Sequence, residues 1–294
     1  MRIMGYKVDN AIIMCAGTSS RFAPISYETH KGLIKVKGEI LVERQINQLI
    51  EAGIKEIILI VGYKKEDFYY LKEKYGVKIL YNEEYDSRNN NSSIYVAKDH
   101  LKNSYICSVD NYFTENPFSS YEEESFYSAV YSDGRTAEWC LEIEDGYISN
   151  VVIGGTNKWY MLGHAFWDEN FTKKYIDILE NIYNKPETKD MFWETIYINN
   201  IDVLKMRIKK YDKDYIYEFD TLDELRTFDS KYINNSNSSI ILKVCKILGC
   251  NESDLKEFKS LYSENSNKSI GFKFKYNDNE YKYKYKNEKV VKIN

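Results

Sequence analysis

The chain has 294 residues, of which 43% are hydrophobic and 29% charged, and its formal net charge is −4. This composition is typical of a soluble globular protein with one large domain, or with one domain and an appendage. The sequence has no apolar run near the roughly 20 residues of a membrane span, and residues 1–10 lack the apolar core of a signal peptide. The five cysteines show neither a metal-ligand spacing nor a disulfide framework. We therefore expect a cytoplasmic protein with reduced thiols and no membrane partner.

Charge is distributed unevenly along the chain. Residues 231–294 hold 13 lysines and 7 acidic residues, a net charge of +6, which leaves −10 for residues 1–230. Because nucleic-acid phosphates require a basic binding face, no nucleic-acid partner is expected for the acidic part. A small phosphorylated ligand is compatible with the acidic excess, since local cations and a metal ion decide its binding.

Residues 10–109 alternate between buried strands and amphipathic helices. The pattern predicts strands at residues 10–14, 55–61, 77–81 and 105–109, and helices at 39–52, 65–75 and 92–101. Such alternation is typical of an α/β fold with a doubly wound, mostly parallel central sheet and helices on both faces. Ligands of such sheets bind at the carboxyl ends of the strands, where Gly17, Gly62 and Asp110 fall.

The second half is richer in predicted strands and ends in an appendage. The pattern predicts strands at 125–132, 138–144, 147–153, 159–167, 203–209 and 215–219, and helices at 169–184, 187–200 and 221–230. A Ser- and Asn-rich linker at 234–239 precedes two predicted helices, 240–248 and 252–261, and a hairpin at 270–285. We therefore expect two domains, residues 1–230 and a small α+β appendage of residues 231–294.

The segment after the first predicted strand carries the strongest functional signal. Its small residues let backbone N–H groups approach a phosphate without obstruction by side chains. Arg21 and Lys31 place two cations where a triphosphate would lie, and they are the expected catalytic residues. The loop is not a Walker loop, because no Gly-Lys-Ser/Thr closes it, and it lacks two glycines of the dinucleotide fingerprint. The expected phosphate-binding residues are Ala16, Gly17, Thr18, Ser19 and Ser20.

This segment resembles the signature of nucleotidyltransferases, which use an NTP to activate a phosphorylated small molecule: a strand, Ala-Ala-Gly-x-Gly-x-Arg, a proline and a later Pro-Lys. The chain differs at Cys15, Ser19 and His30, which stand for an alanine, a glycine and a proline. Over residues 10–230 the order of motifs resembles that of the bacterial LicC-type phosphocholine cytidylyltransferases. The resemblance implies a fold like that of the nucleotide-diphospho-sugar transferases and the transfer of CMP from CTP to phosphocholine.

Nucleotidyl transfer joins two anions, so the site needs cations, whereas an ionised phosphate monoester needs no general base. The resemblance implies Mg²⁺ held by Asp110, in the strand-end pair Asp110-Asn111, and by Asp220 in the acidic segment 216–220. Read alone, Asp110 could initiate a turn and Asp220 could cap the following helix. Glu218 shares a strand face with Asp220 and is assigned to the second substrate.

The resemblance also implies the residues that read the cytosine base. It assigns this role to an Asn-Asn pair and a following serine within residues 89–93, whose amide and hydroxyl groups can both donate and accept hydrogen bonds. Without the resemblance, this segment is an ordinary polar loop of an Asn-rich chain. The expected residues around the base are Gly62, Asn82, Asn89, Asn90 and Ser93.

The second substrate would carry a quaternary ammonium, which has no N–H to donate and is held by aromatic faces. The resemblance places a Glu-Trp pair and an Asp-x-aromatic-Trp segment at this cation. Core packing is the alternative for the tryptophans. The expected substrate-binding residues are Glu138, Trp139, Asp190, Phe192, Trp193 and Glu218.

The leading interpretation is a Mg²⁺-dependent CTP:phosphocholine cytidylyltransferase that produces CDP-choline and pyrophosphate. Three alternatives stay open. The same chemistry could act on phosphoethanolamine or 2-aminoethylphosphonate, the substrate could be a sugar 1-phosphate, or the fold could serve a regulatory or binding module without activity.

The appendage faintly resembles the beginning of a choline kinase N-lobe. The resemblance covers residues 240–285 and consists of a helix, a Ser-Asn-Lys-Ser turn at 266–269 and a hairpin. No kinase catalytic loop follows, so kinase activity is not expected. We expect the appendage to pack on the enzyme or to mediate a homodimer.

Overall fold

The structure is a computed structural model that describes residues 5–263 and 269–293. The turn predicted at 266–269 therefore lies mostly outside the described residues. The strands are β1 (Tyr6–Lys7), β2 (Asn10–Cys15), β3 (Lys35–Val36), β4 (Glu39–Ile40), β5 (Glu56–Val61), β6 (Lys78–Tyr81), β7 (Ser104–Ser108), β8 (Asn111–Phe113), β9 (Tyr121–Glu122), β10 (Phe126–Glu144), β11 (Tyr147–Trp167), β12 (Arg207–Tyr211), β13 (Ile216–Glu218), β14 (Lys256–Tyr262), β15 (Ser269–Tyr276), β16 (Asn279–Lys284) and β17 (Lys289–Lys292). The helices are α1 (Ile25–Glu28), α2 (Leu41–Glu51), α3 (Tyr70–Tyr75), α4 (Asn91–Ala97), α5 (Glu169–Ile182), α6 (Trp193–Ile198), α7 (Leu222–Phe228) and α8 (Ser239–Leu248).

The chain forms two units, and each is assembled from separate segments. The first contains Met1–Gly17 and Val42–Glu218, and the second contains Thr18–Leu41 and Phe219–Asn294. The segment that resembles the nucleotidyltransferase signature, residues 15–38, is called the signature segment. Most of it therefore belongs to the unit that also contains the appendage. The division into domains at residue 230 stays a prediction, because packing in the whole chain does not test whether residues 1–230 fold alone.

The first unit is built on a seven-stranded sheet in the order β10-β12-β11-β7-β2-β5-β6. The pairs β2–β5, β2–β7, β5–β6 and β10–β12 are parallel, whereas β11 runs antiparallel to β7. The apolar run of β5 is almost fully buried, as expected for a strand that is covered on both faces. The predicted α/β fold with a mostly parallel central sheet is confirmed.

The core of the first unit joins aliphatic side chains of the sheet to aromatic side chains of α5 and α6. Full burial of each such side chain contributes about 1.5–3 kcal/mol. Helix α5 begins where Asp168 accepts hydrogen bonds from the N–H groups of Asn170 and Phe171. The central members of this core are Ile12, Ile58, Ile60, Ile106, Trp167, Tyr175, Trp193 and Tyr197.

Two long strands replace four predicted ones. The segments predicted as 125–132 and 138–144 form the single strand β10, and those predicted as 147–153 and 159–167 form β11. The two strands pair antiparallel with several register shifts, and Gly134 and Gly154 lie at positive φ in these irregular parts. These glycines therefore mark irregular positions inside a continuous hairpin.

The appendage contributes α8 and a four-stranded antiparallel sheet, β14-β15-β16-β17, to the second unit. The hairpin predicted at 270–285 is confirmed by β15 and β16. The helix predicted at 252–261 is wrong, since β14 occupies most of it. Leu255, Phe258 and Leu261 recur at helical spacing, but β14 pairs antiparallel with β15, and the buried Phe258 packs on Phe272 of that strand.

None of the helices in residues 5–263 and 269–293 combines the length and the apolar character that crossing a membrane would require.

Candidate active site

The loop after β2 has a backbone conformation that favours glycine. Ser19 lies at φ 49° and ψ 37°, in the left-handed region, and a short 3₁₀ turn, Ser20–Phe22, follows it. A residue with a side chain adopts this conformation at a cost of about 1–2 kcal/mol. This geometry gives a physical reason for the glycine that the family pattern has at the position of Ser19. A Cβ on the exposed Gly17 would meet no atom within 4 Å.

Gly62, predicted to pack near the base, lies against the backbone at the start of this loop. A Cβ on Gly62 would approach the Ala16 carbonyl oxygen to 2.6 Å and Cβ of Tyr85 to 2.5 Å. The next residue, Tyr63, donates its N–H to the same Ala16 carbonyl at 3.0 Å. Gly62 is therefore required for the close approach of two strand ends, β2 and β5.

Gly62→Ala is expected to lower stability by about 1–3 kcal/mol, because the new methyl group would have to displace backbone atoms. Thermal unfolding of the purified variant measures the effect. Gly17→Ala is the matched control, since its methyl group has room, and we expect its melting temperature to stay near that of the wild type. Equal melting temperatures for the two variants would contradict the steric explanation.

The two predicted catalytic cations meet at Asp220 in the second unit. Arg21 Nη1 lies 2.6 Å from Asp220 Oδ2, and Lys31 Nζ lies 3.0 Å from Oδ1. The Arg21 side chain is 72% exposed, whereas that of Lys31 is only 4% exposed. The cap of α7 is Thr221, whose Oγ1 accepts the Glu224 N–H at 3.2 Å. The alternative interpretation of Asp220 as a helix cap is therefore wrong.

Asp110 lies at the carboxyl end of β7, as predicted, and its turn is held by several groups. Ser108 Oγ donates to Asp110 Oδ1 at 2.6 Å, and the buried Gln45 donates to the carbonyls of Ser108 and Asn111 at 2.8 Å each. The neighbouring β2 ends at Cys15. Burial raises the pKa of the Cys15 thiol, and the negative charge of Asp110 raises this pKa further.

A second carboxylate accompanies Asp110 in the first unit. Strand β13 pairs antiparallel with β8, so that Glu218 lies opposite Asn111. A carboxylate oxygen of Asp110 lies within 4.8 Å of one of Glu218. Carboxylate oxygens are the ligands that Mg²⁺ prefers, so this pair fits a magnesium ion. The sequence assigned Glu218 to the second substrate, and the structure makes it a candidate metal ligand as well.

Two of the predicted base-binding residues are buried and bonded within the first unit. Asn82 Nδ2 donates to Ser92 Oγ at 2.8 Å and to Ser93 Oγ at 3.2 Å. This link connects the end of β6 to the first turn of α4. A role of Asn82 and Ser93 in base binding stays a prediction, and their observed bonds hold the loop that would form the base site.

The adjacent asparagines connect α4 to the segment 189–194. Asn89 Nδ2 donates to the carbonyl of Asp190 at 3.1 Å, and Asn90 Oδ1 accepts the Trp193 N–H at 2.7 Å. The segments predicted to bind the base and the ammonium group are thus bonded to each other. Base reading by Asn89 and Asn90 stays a prediction.

The predicted aromatic residues occupy two kinds of position. Phe192 is 44% exposed and meets Trp139, which is half-buried, edge to face with ring centroids 5.7 Å apart. Trp193 is 1% exposed and packs against Trp167 in the core. Trp139 and Phe192 therefore offer ring surface to a ligand, whereas the ring of Trp193 has the position of a core residue.

The charges of several carboxylates act on two tyrosines of the first unit, Tyr160 and Tyr127. The pKa of Tyr160 is raised by burial and by the charges of Glu138 and Glu218. The pKa of Tyr127 is raised by burial and by Glu194, Glu218 and Asp110. Glu138, Glu194 and Glu218 thus contribute negative potential to one region, a property that favours a cationic ligand.

Sequence reasoning missed Glu194, although it directly follows Phe192-Trp193. Its Oε1 accepts the Tyr127 hydroxyl at 3.3 Å, and its Oε2 accepts Nδ2 of Asn90 at 3.1 Å. Loss of water around the carboxyl raises the pKa of Glu194 to about 7. This carboxyl therefore changes charge near neutral pH.

Several known proteins are similar to this chain. A family model described as the MobA-like NTP transferase domain matches residues 11–118. A choline-phosphate cytidylyltransferase of Streptococcus pneumoniae is 36% identical over 228 residues, which are 77% of this chain and 99% of that protein. A 2-aminoethylphosphonate cytidylyltransferase of Lancefieldella rimae is 34% identical over 229 residues, 76% of this chain and 93% of that protein.

Comparison with solved structures leads to the same family. The CTP:phosphocholine cytidylyltransferase LicC from Streptococcus pneumoniae superimposes with a TM-score of 0.73 at 35% identity, and the match covers 77% of this chain and 99% of that one. The inositol-1-phosphate CTP transferase from T. maritima superimposes with a TM-score of 0.61 at 14% identity over 78% of this chain, a likeness of fold alone. The chain belongs to the LicC-type choline-phosphate cytidylyltransferase family of the nucleotidyltransferase superfamily.

Proposed function

We propose that this enzyme transfers CMP from CTP to phosphocholine. The observation that carries the choice of phosphocholine is the edge-to-face pair of Trp139 and Phe192 in a region of negative potential. Aromatic faces and carboxylates together suit a quaternary ammonium, which accepts no hydrogen bond and donates none. The relative from Streptococcus pneumoniae supports the same substrate.

In the proposed reaction, a phosphate oxygen of phosphocholine attacks the α-phosphorus of CTP. The bond between this phosphorus and the bridging oxygen breaks, and pyrophosphate leaves. Arg21 and Lys31 bind the triphosphate and stabilise the negative charge that moves onto the leaving group. Asp220 holds both cations at its carboxylate, which fixes their side chains before the nucleotide binds.

We propose Mg²⁺ as the cofactor, with Asp110 and Asp220 as ligands and Glu218 as a further candidate. When bound, the ion offsets the repulsion between the two anionic substrates. The proposed contacts with the phosphates come from the loop of Ala16, Gly17, Thr18, Ser19 and Ser20. The proposed contacts around the base come from Gly62, Asn82, Asn89, Asn90 and Ser93.

We assign Glu138, Trp139, Asp190, Phe192, Trp193 and Glu218 to the head group of the second substrate. Trp193 would act from the core, by fixing the segment that carries Phe192. Glu194 joins this group as a carboxylate that faces the tyrosine Tyr127.

A second candidate substrate is 2-aminoethylphosphonate. The carboxylates near Tyr127 and Tyr160 favour it, because a primary ammonium donates hydrogen bonds to carboxylates. The relative from Lancefieldella rimae is named as a 2-aminoethylphosphonate cytidylyltransferase. Phosphocholine remains first because the exposed ring of Phe192 offers a contact that a primary ammonium uses less well.

A substrate panel tests the proposal. The enzyme is incubated with each NTP, Mg²⁺ and one of phosphocholine, phosphoethanolamine, 2-aminoethylphosphonate or a sugar 1-phosphate, and pyrophosphate release is measured. We expect the highest kcat/KM with CTP and phosphocholine. A higher value with 2-aminoethylphosphonate would select the second candidate, and release with none of the pairs would overturn the proposed function.

The ionisation of Glu194 predicts a pH dependence. Below pH 7 the carboxyl is mostly neutral, and above pH 7 it is anionic and attracts the ammonium group, so the KM for phosphocholine should fall between pH 6 and pH 8. If the bound cation lowers the pKa of Glu194 by about one unit, the change in affinity is at most about tenfold.

Glu194→Gln is the comparison for this prediction, because the amide has a similar shape and no charge. Ionisation of the substrate phosphates affects both proteins equally, so the ratio of their KM values isolates Glu194. We expect the variant's KM to exceed that of the wild type at pH 8 and to approach it at pH 6. A ratio that does not change with pH would show that Glu194 does not contact the cation.

A further inference from the structure

Strand β14 of the appendage contacts the predicted phosphate-binding loop, and both belong to the second unit. The Ser260 hydroxyl donates to the main-chain carbonyl of Ser20. The Tyr262 hydroxyl lies 3.0 Å from Ser20 Oγ, within hydrogen-bond distance. Both the main chain and the side chain of Ser20 are therefore held by the appendage. We call Ser260 and Tyr262 the loop brace.

The beginning of β14 is anchored to α7. The buried Arg226 donates from Nη1 to the carbonyl of Leu255 at 2.6 Å and from Nη2 to that of Glu252 at 2.8 Å. The N–H of Glu257 donates to Asp223 Oδ2 at 2.7 Å. Helix α7 begins directly after Asp220 and Thr221. The loop brace is therefore attached to the helix that follows Asp220, whose carboxylate pairs with Arg21 and Lys31.

The loop has a specific need for such support. Ser19 holds a left-handed conformation that glycine adopts freely and serine does not. Ser20 is the next residue, so hydrogen bonds that fix Ser20 oppose the relaxation of Ser19 to a right-handed conformation. The same bonds fix the direction of the N–H groups of the loop and the position from which Arg21 extends.

We propose that the loop brace positions the phosphate-binding loop for the triphosphate of CTP, so that Ser260 and Tyr262 of the appendage are positioning residues for nucleotide binding. The inference rests on the proposed use of CTP. It gives residues of the appendage a part in nucleotide binding, although 77% of this chain is enough to match 99% of the relative from Streptococcus pneumoniae.

The test combines Tyr262→Phe with Ser260→Ala, which remove the two hydroxyl groups and leave the strand in place. We expect the KM for CTP to rise about tenfold, while kcat and the KM for phosphocholine change less than about twofold. The control is Tyr276→Phe, in the same sheet, where the ring packs near Tyr281. A double variant that is folded and keeps the wild-type KM for CTP overturns the inference.

The Ser19→Gly background separates positioning from general stabilisation. Glycine supplies the left-handed conformation unaided, so removal of the loop brace should raise the KM for CTP much less in this background than with Ser19. Tyr262→Phe should also increase hydrogen exchange of residues 17–23 in the Ser19 protein. An equal rise of the KM for CTP in both backgrounds would overturn an action through the conformation of Ser19. A lower melting temperature without a change in KM would show a purely structural role.

Direct binding distinguishes this inference from the proposed function. Calorimetry with CTP and Mg²⁺ measures the dissociation constant without turnover. If the wild type binds CTP but transfers CMP to no member of the panel, the proposed reaction is wrong, and a weaker affinity of the double variant still supports the loop brace. If the wild type binds no CTP, both are overturned.

Discussion

Asp110→Asn should lower kcat/KM by about a thousandfold while the protein stays folded. The amide keeps the size of the side chain and can still accept the hydrogen bond of Ser108, but it supplies no negative charge to a divalent ion. Charge stabilisation by such an ion amounts to several kcal/mol, and each 1.36 kcal/mol is a factor of ten in rate. Steady-state pyrophosphate release measures the loss.

Binding of Mn²⁺ in place of Mg²⁺ gives a second measurement for Asp110→Asn, since electron paramagnetic resonance reports the free ion directly. We expect a weaker affinity in the variant. Asp99→Asn is the control, because Asp99 is exposed in the 3₁₀ turn after α4. Wild-type activity of Asp110→Asn, with a native circular dichroism spectrum, would exclude Asp110 from the metal site.

Lys31→Met should lower kcat by about a hundredfold to a thousandfold, the typical effect of removing one preorganised group that stabilises developing charge. Methionine is chosen because Lys31 is almost fully buried, and its length retains most of the packing of the lysine chain. Arg21 would still pair with Asp220, so the remaining activity measures the contribution of Lys31 alone.

Lys35→Met is the control for this substitution, since Lys35 is exposed on β3 of the same unit. We expect it to keep the kcat of the wild type. The effect of Lys31→Met should fall mainly on kcat if the charge develops in the transition state, and on the KM for CTP if it is bound equally in the ground state. A folded Lys31→Met variant that retains both constants would remove Lys31 from the mechanism.

Local patterns predicted the parts of the fold and site that depend on local physics. The apolar runs of β2 and β5 favoured buried strands, and Gly17, Gly62 and Asp110 follow the ends of strands. The resemblance of these motifs and of their order to those of the nucleotidyltransferases indicated nucleotidyl transfer. Gly62 was assigned to the base site, and the structure adds that its lack of a side chain permits the close approach of β2 and β5.

Contacts between distant segments could not be predicted. Leu255, Phe258 and Leu261 have helical spacing, and only pairing with β15 makes β14 a strand. In the sequence, Glu194 looks like an ordinary helix residue. Its hydrogen-bond partners Tyr127 and Asn90 are far from it in the chain, and no local pattern indicates them. Both errors have one cause, which is that periodicity reports the exposed and buried faces of a segment but not its partners.

The second unit is assembled from two separate segments of the chain, and this has a consequence for chimaeric proteins and for evolution. Glu28 of the signature segment accepts hydrogen bonds from Ser238 and Ser239 at the start of α8, and the ring of Tyr27 stacks on Tyr285 at 3.8 Å. A graft of residues 231–294 onto a shorter family member would transfer only one residue of each contacting pair, because Tyr27 and Glu28 lie outside the grafted segment. Functional exchange would have to transfer residues 18–41 with the appendage, and substitutions in the two segments are expected to co-vary among proteins that carry both.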